Sequence, residues 1–295
     1  MNRAIRPKKG VFIAYLIPCL CIYIFVFIVP AAASILLSFF KFSNIRKFSF
    51  IGLQNYLTLI HDPNVWIALK NNLFLVAVSL IGQIGIAFVL ACILNSSKTI
   101  LAGLSRTVIY FPVTISAVVI GYVWKMVFDY NYGIVAKLLE FAGRSDLIAP
   151  WLGQESTVML CVCIPLIWQY VGFHLVILVS AMTSIDQDIY ESSSIDGAGA
   201  LQKAVYITLP MIKNTLLICV FLCISANMKV FDHIMTLTNG GPGFASNVLA
   251  LYAYNVSFSQ MNMGYGSAVS VFILAITILL FLLSNGVMAV GKKKE

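Results

Sequence analysis

Charge is what this sequence has least of. Only 10% of its 295 residues are Asp, Glu, Lys or Arg, whereas a water-soluble domain carries roughly 25%. With 60% hydrophobic residues and a mean hydropathy of +0.94, a soluble globular fold is excluded. Histidine is scarce, three in all, and neither Cys-x-Cys pair has His or Cys partners at zinc-ligand spacing. The seven cysteines (Cys19, Cys21, Cys92, Cys161, Cys163, Cys219 and Cys223) all fall inside apolar runs. Buried cysteine behaves as a small hydrophobe, so neither a metal site nor a disulfide framework is expected. No G-x-x-x-x-G-K-[ST] loop and no dinucleotide fingerprint occurs. The net charge of +8 comes without a basic stripe interleaved with aromatics, which argues against a nucleic-acid partner and leaves membrane topology as its explanation.

What is present is apolar sequence in lengths that suit a bilayer. Six blocks stand out, Val11–Phe40, Leu69–Leu94, Thr107–Phe128, Val158–Met182, Asn214–Leu237 and Ser267–Val290, each long enough to cross about 30 Å of hydrocarbon as a helix. The expected fold class is an all-α membrane protein with about six transmembrane helices. Residues 1–10 form a tail and 11–295 a single transmembrane domain. Pro18, Pro30, Pro112 and Pro165 lie within the blocks and are expected to kink helices rather than end them.

Counting Lys and Arg sets the orientation. With the N-terminus inside, the cytoplasmic segments hold Arg3, Arg6, Lys8, Lys9, Lys98, Arg106, Lys203, Lys213 and Lys292–Lys294. The opposite side holds Lys41, Arg46, Lys47, Lys137 and Arg144, with Lys70 near a helix end. The bias places both termini in the cytoplasm. It also makes Ser184–Lys213 the longest cytoplasmic loop. Asp186 and Asp188 suit the first turn of a short helix, a run of Ser, Ala and Gly keeps its surface small, and Gly197 and Gly199 weaken or end it. A plain connector is the simpler alternative, but it needs neither this length nor so many small residues.

The stretch "YESSSIDGAGALQKAVYITLP" resembles the E-A-A-x-x-D-G-A … I-x-L-P motif of the inner-membrane permease subunits of binding-protein-dependent ABC importers. Glu191, Asp196, Gly197, Ala198, Ile207, Leu209 and Pro210 stand in register, and Ser192 and Ser193 replace the two alanines. Ala204 stands in place of a common aromatic, and Asn214 where a second Pro is frequent. The sugar-uptake branch is indicated by "FIGLQNYLTLIHDPNVWIALKNNLFL", which looks like its G-L-x-N-Y … W-x-A-L-x-N-T segment. "IWQYVGFHLVIL" is similar to its W-x-x-x-G-F stretch, and "FDHIMTLTNGGPGFASN" to its F-D-x-I-x-x-L-T-x-G-G-P-G block.

The resemblance implies a type I importer permease fold in a prokaryotic inner membrane, with a second permease and two ATPase subunits as partners. An extracytoplasmic sugar-binding protein would deliver the cargo. It also implies that Glu191, Ser192, Ser193, Ile195, Asp196, Gly197, Ala198, Ile207, Leu209 and Pro210 form the ATPase-coupling surface. ATP and Mg would sit on the partner ATPase, so no cofactor is expected on this chain, and no chemistry of its own.

Ionisable residues inside a span are expensive and suggest function. Lys229 and Asp232, three apart, would pair on one face of a continuous helix, beside Asn227 and Phe231. Gln169, Tyr170, Phe173 and His174 form a comparable cluster in the fourth block. Aromatic faces with a few orienting polar groups suit a sugar. Two readings stand side by side: these residues line a cavity, or Lys229 and Asp232 lock the bundle as an internal pair while His174 is a core histidine. A neutral oligosaccharide is the expected cargo if that pair forms, and an anionic sugar derivative such as glycerol phosphate if Lys229 faces the ligand. A secondary transporter would show inverted repeats, and a membrane-embedded enzyme converging acid, base or metal-binding groups; the sequence has neither.

Overall fold

The computed structural model describes residues 9–44, 47–96 and 100–291. The basic residues Arg3, Arg6, Lys8, Arg46, Lys98 and Lys292–Lys294, on which the charge count partly rests, lie outside them, as does most of the tail 1–10. In chain order the elements are α1 (Lys9–Tyr23), α2 (Val29–Leu37), β1 (Phe40–Asn44), β2 (Lys47–Phe50), α3 (Gln54–His61), α4 (Pro63–Ser79), α5 (Ile86–Ser96), α6 (Ile100–Tyr110), α7 (Ala117–Val127) and α8 (Ile134–Phe141). There follow α9 (Val158–Met182), α10 (Gln187–Ile195), α11 (Ala200–Gln202), α12 (Leu209–Met211), α13 (Lys213–Met228), α14 (Asp232–Leu237), α15 (Leu249–Tyr254) and α16 (Met263–Gly291). Single π-helical turns at Ile24–Ile28 and Leu80–Gly85 join α1 to α2 and α4 to α5. The fold is nearly all helical, as the apolar blocks imply.

Among the described residues, four helical stretches are long and apolar enough to cross a membrane, Ile13–Leu37, Pro63–Asn95, Val158–Met182 and Met263–Gly286, and the number rises to as many as six if each of two bent pairs is one span. The first pair corrects the expectation of a continuous helix in the third block; the other bends at Ile212, ahead of the fifth block. The third block bends by 98° between Gly103–Thr114 and Ala117–Val127. Pro112 sits in a 3-10 turn, Phe111–Thr114, and Ile115 is extended (φ −83, ψ 138). Here proline ends a helix because it removes a donor and its ring crowds the preceding turn. In a membrane the freed backbone groups need partners, and Gln169 Nε2 donates to Ile115 O at 2.9 Å.

The fifth block is broken too. Helix α13 stops at Met228, and the chain resumes as α14 only at Asp232. The carbonyl of Asn227 accepts from Asn72 Nδ2 at 2.9 Å, and Asn72 Oδ1 accepts from the Leu249 amide at 2.8 Å. Asn71 Nδ2 donates to the carbonyls of Ala245 (3.0 Å) and Asn247 (2.8 Å), beyond the Gly240–Gly243 turn. Ser79 Oγ donates to Asn227 Oδ1 at 2.9 Å. Side chains of α4 thus take over the bonds that the broken helix gives up.

The chain divides into two compact units. One is drawn from Met1–Asp62 and Ala253–Phe272. Its unexpected feature is an antiparallel hairpin, β1 on β2, in the register Phe40↔Phe50, Lys41↔Ser49 and Phe42↔Phe48. Alternating phenylalanines put the rings of Phe40 and Phe48 together, centroids 4.3 Å apart. Asn55 Nδ2 anchors the strand by donating to Ser38 O and Phe40 O at 2.8 and 3.0 Å, and Tyr56 OH shares a 2.7 Å bond with Ser38 Oγ. The other unit, Pro63–Tyr252 with Ile273–Glu295, is built around α9. One cluster of its core joins Ala87 and Ala91 of α5 to Leu175, Leu178 and Met182 of α9 and Cys219 and Cys223 of α13. A second gathers Leu75, Leu166, Val230, Ile234, Leu237 and Leu251.

Candidate functional site

Two places in the second unit hold the residues expected to matter. The first is the loop after α9. Asp186 caps α10, its Oδ1 accepting from the Asp188 amide at 3.2 Å, and Asp188 lies in the first turn. The C-terminal end closes with both backbone bonds of a Schellman motif: Ala198 N donates to Ser193 O (2.9 Å) and Gly197 N to Ser194 O (3.2 Å). That geometry needs a left-handed residue, and Gly197 has φ +81. Ser193 and Ser194 turn their hydroxyls back onto Tyr190 O at 2.8 and 2.7 Å, so the two serines bond within the helix rather than presenting a polar face.

A second arm runs from Ala200 to Met211 and turns by 79° into α13. The arms are tied by Tyr190 OH with Thr208 Oγ1 at 2.9 Å and by Lys203 Nζ donating to Ser194 Oγ. Glu191 is exposed and accepts from Gln187 Nε2 at 2.8 Å. Asp196 is the C-cap residue; among the described residues its carboxylate makes no hydrogen bond or ion pair, and backbone bonds, not an acidic clamp, hold the turn. Ser192 and Pro210 are exposed, Ala198, Ile207 and Leu209 half-buried. Apolar side chains project from this polar loop: Ile195 is 87% exposed, Leu201 78% and Tyr206 77%. Such a patch on an otherwise tied loop fits a docking surface.

The second place is a cavity of ≈ 160 Å³ against the break in the fifth block. Tyr170, Asn227, Lys229, Phe231 and Asp232 line it together with His233. Gln169, Phe173 and His174 do not. Gln169 is buried and acts from behind, its Oε1 bonded to His233 Nε2 at 2.6 Å. His174 is buried with its ring edge against Phe173, and its Nδ1 has no partner among the described residues. Asn227 reaches the cavity wall, but its amide is engaged with Ser79 and with Cys223 O. Lys229 and Asp232 do not form the expected pair: among the described residues the one ion pair within 4 Å is Arg144–Asp146. The spacing argument assumed a continuous helix, and the break between Met228 and Asp232 removes the shared face. Both side chains are exposed to the cavity instead.

The family follows from sequence once this geometry is in place. The pattern of the binding-protein-dependent transport system inner membrane component matches residues 83–293, taking in the loop 184–213 and both broken helices. The chain belongs to this family. A relative that runs its full length is "Probable ABC transporter permease protein YurN" of Bacillus subtilis, 34% identical over 98% of this chain and all of that protein. The "Trehalose/maltose transport system permease protein MalF" of Thermococcus litoralis is 29% identical, covering 92% of each chain. In three dimensions this inner membrane component is similar to a chain of a bacterial alginate ABC transporter solved with an alginate pentasaccharide-bound periplasmic protein. The TM-score is 0.82 over 94% of this chain and 93% of that one, at 22% identity. That likeness concerns the fold.

Proposed function

We propose that this inner membrane component is half of the pore of an ATP-driven sugar importer and does no covalent chemistry itself. The observation that carries the reading is the capped helix Gln187–Ile195, tied to its second arm and ending in exposed Ile195. A loop held by side-chain and backbone bonds at both ends transmits displacement without melting. In this reading it docks on an ATPase subunit in the cytoplasm, ATP and Mg sit on that partner, and closure of the ATPase pair tilts the helices that follow. A second permease completes the pore and an extracytoplasmic binding protein supplies the cargo. The Lys and Arg balance supports both termini lying in the cytoplasm, and the names of several relatives support a sugar.

The cavity at Tyr170, Phe231, Lys229 and Asp232 is this chain's contribution to the path. It holds the volume of roughly five waters, so one sugar ring at a time would meet it. A second cargo reading, an anionic sugar derivative, is favoured by Lys229 facing the cavity without Asp232 as an ion-pair partner. Uptake of neutral and acidic oligosaccharides by proteoliposomes separates the two. For a neutral cargo, Lys229→Met and Asp232→Asn each lower uptake less than about tenfold, about 1.4 kcal/mol. Loss of uptake in Lys229→Met alone, with normal protein levels, establishes the anionic cargo.

A further inference from the structure

A second cavity, ≈ 690 Å³, lies not at the broken helices but behind the coupling loop. Its volume is in the range of small-molecule pockets, about 300–1,000 Å³. One wall is the end of α5 and of α9, where Ile93, Met182 and Ile185 make an apolar floor. The opposite wall is the coupling loop itself, with Gln187 and Lys203. Lys203 is the single charged lining residue among the described residues, and no carboxylate faces the space. Its ammonium has three N–H donors, and Ser194 Oγ takes one of them.

A cavity with one fixed cation, an apolar floor and no acid favours an anion that carries a body. An inorganic ion alone would leave most of the volume and the floor unfilled. A compact ammonium binds phosphate as a point charge. We propose that this cavity binds a phosphate ester, its phosphate on Lys203 and its body on Ile93, Met182 and Ile185, linking the coupling loop to the ends of α5 and α9. The phosphate ester has two sources, the headgroup of an anionic membrane phospholipid or a soluble sugar phosphate. The binding stands apart from the transport reading; only its consequence for coupling rests on it.

Cys92 lines the same cavity and reports on it. The test is its rate of alkylation by N-ethylmaleimide in the intact complex, read by peptide mass spectrometry. Nanodiscs of phosphatidylcholine are compared with nanodiscs containing phosphatidylglycerol, and with phosphatidylcholine nanodiscs given millimolar glucose 6-phosphate. A ligand at ten times its Kd slows alkylation by about tenfold, since the free fraction falls as 1/(1 + [L]/Kd). Slowing in the phosphatidylglycerol arm assigns the lipid headgroup, and slowing in the other arm the soluble ester. Lys203→Gln should abolish the effect and Lys203→Arg preserve it. No slowing in either arm, or slowing that survives Lys203→Gln, overturns the proposal.

Discussion

A Gly197→Pro variant should insert and assemble normally, yet lose substrate-stimulated ATP hydrolysis by more than tenfold in the reconstituted complex. Residue 197 has φ +81, whereas proline is held near −65°. Proline also removes the amide that donates to Ser194 O at 3.2 Å. Beyond the turn nothing is disturbed, because a Cβ at this position meets no atom within 4 Å. The cost is therefore local, about 3 kcal/mol or more, over a hundredfold in the equilibrium between the closed and the unravelled turn. Gly197→Ala pays only for left-handed backbone, about 1–2 kcal/mol, and should be partly coupled. Glu191→Ala loses the exposed bond to Gln187 and any contact to a partner; its defect, if the carboxylate meets the ATPase, should exceed that of Gln187→Ala. Normal stimulation and uptake in Gly197→Pro would remove the coupling role from this helix.

Gly172→Val should strongly destabilise the fold. A Cβ at Gly172 would lie 2.2 Å from Ile109 O and 2.7 Å from Tyr110 Cα. These are backbone atoms of α6, so no side chain can turn away, and α6 and α9 must separate. Small residues are what let two spans approach this closely. The separation also pulls at Gln169, one turn earlier on α9, which satisfies Ile115 at the break of the third span. Overpacking ordinarily costs about 1–3 kcal/mol, and a backbone collision belongs at or above the upper end. Thermal unfolding of the detergent-solubilised protein should show a large loss or no folded peak. Gly85→Val is the control, since nothing lies within 4 Å of its Cβ. Equal stability of the two variants contradicts the close contact.

The positions of the spans were legible because about twenty apolar residues have few alternatives in water. So was the helix end in the loop 184–213, where the motif residues Gly197 and Ala198 prove to be the left-handed and the closing positions. The breaks were not legible. Hydropathy averages across them, and what makes them tolerable is supplied from far along the chain: Asn72 for Asn227, Asn71 for Ala245 and Asn247, Gln169 for Ile115. The Lys229–Asp232 pair failed for the same reason, since an i,i+3 argument holds only on an unbroken helix. The bond of His233 to Gln169 has no local signal, since the two are 64 residues apart. The hairpin had a signal in the alternation of Phe40, Phe42, Phe48 and Phe50, hidden at the edge of an apolar block.

The most direct measurement is a photocrosslink from position 195. Ile195 is 87% exposed at the tip of the tied helix, and a benzoylphenylalanine replacing it probes whatever the loop touches in the assembled complex. The account predicts a crosslink to the nucleotide-hydrolysing subunit, with a yield that changes when ATP is bound and trapped. Crosslinks confined to lipid, or to the extracytoplasmic binding protein, would contradict both the docking role of this loop and its placement in the cytoplasm.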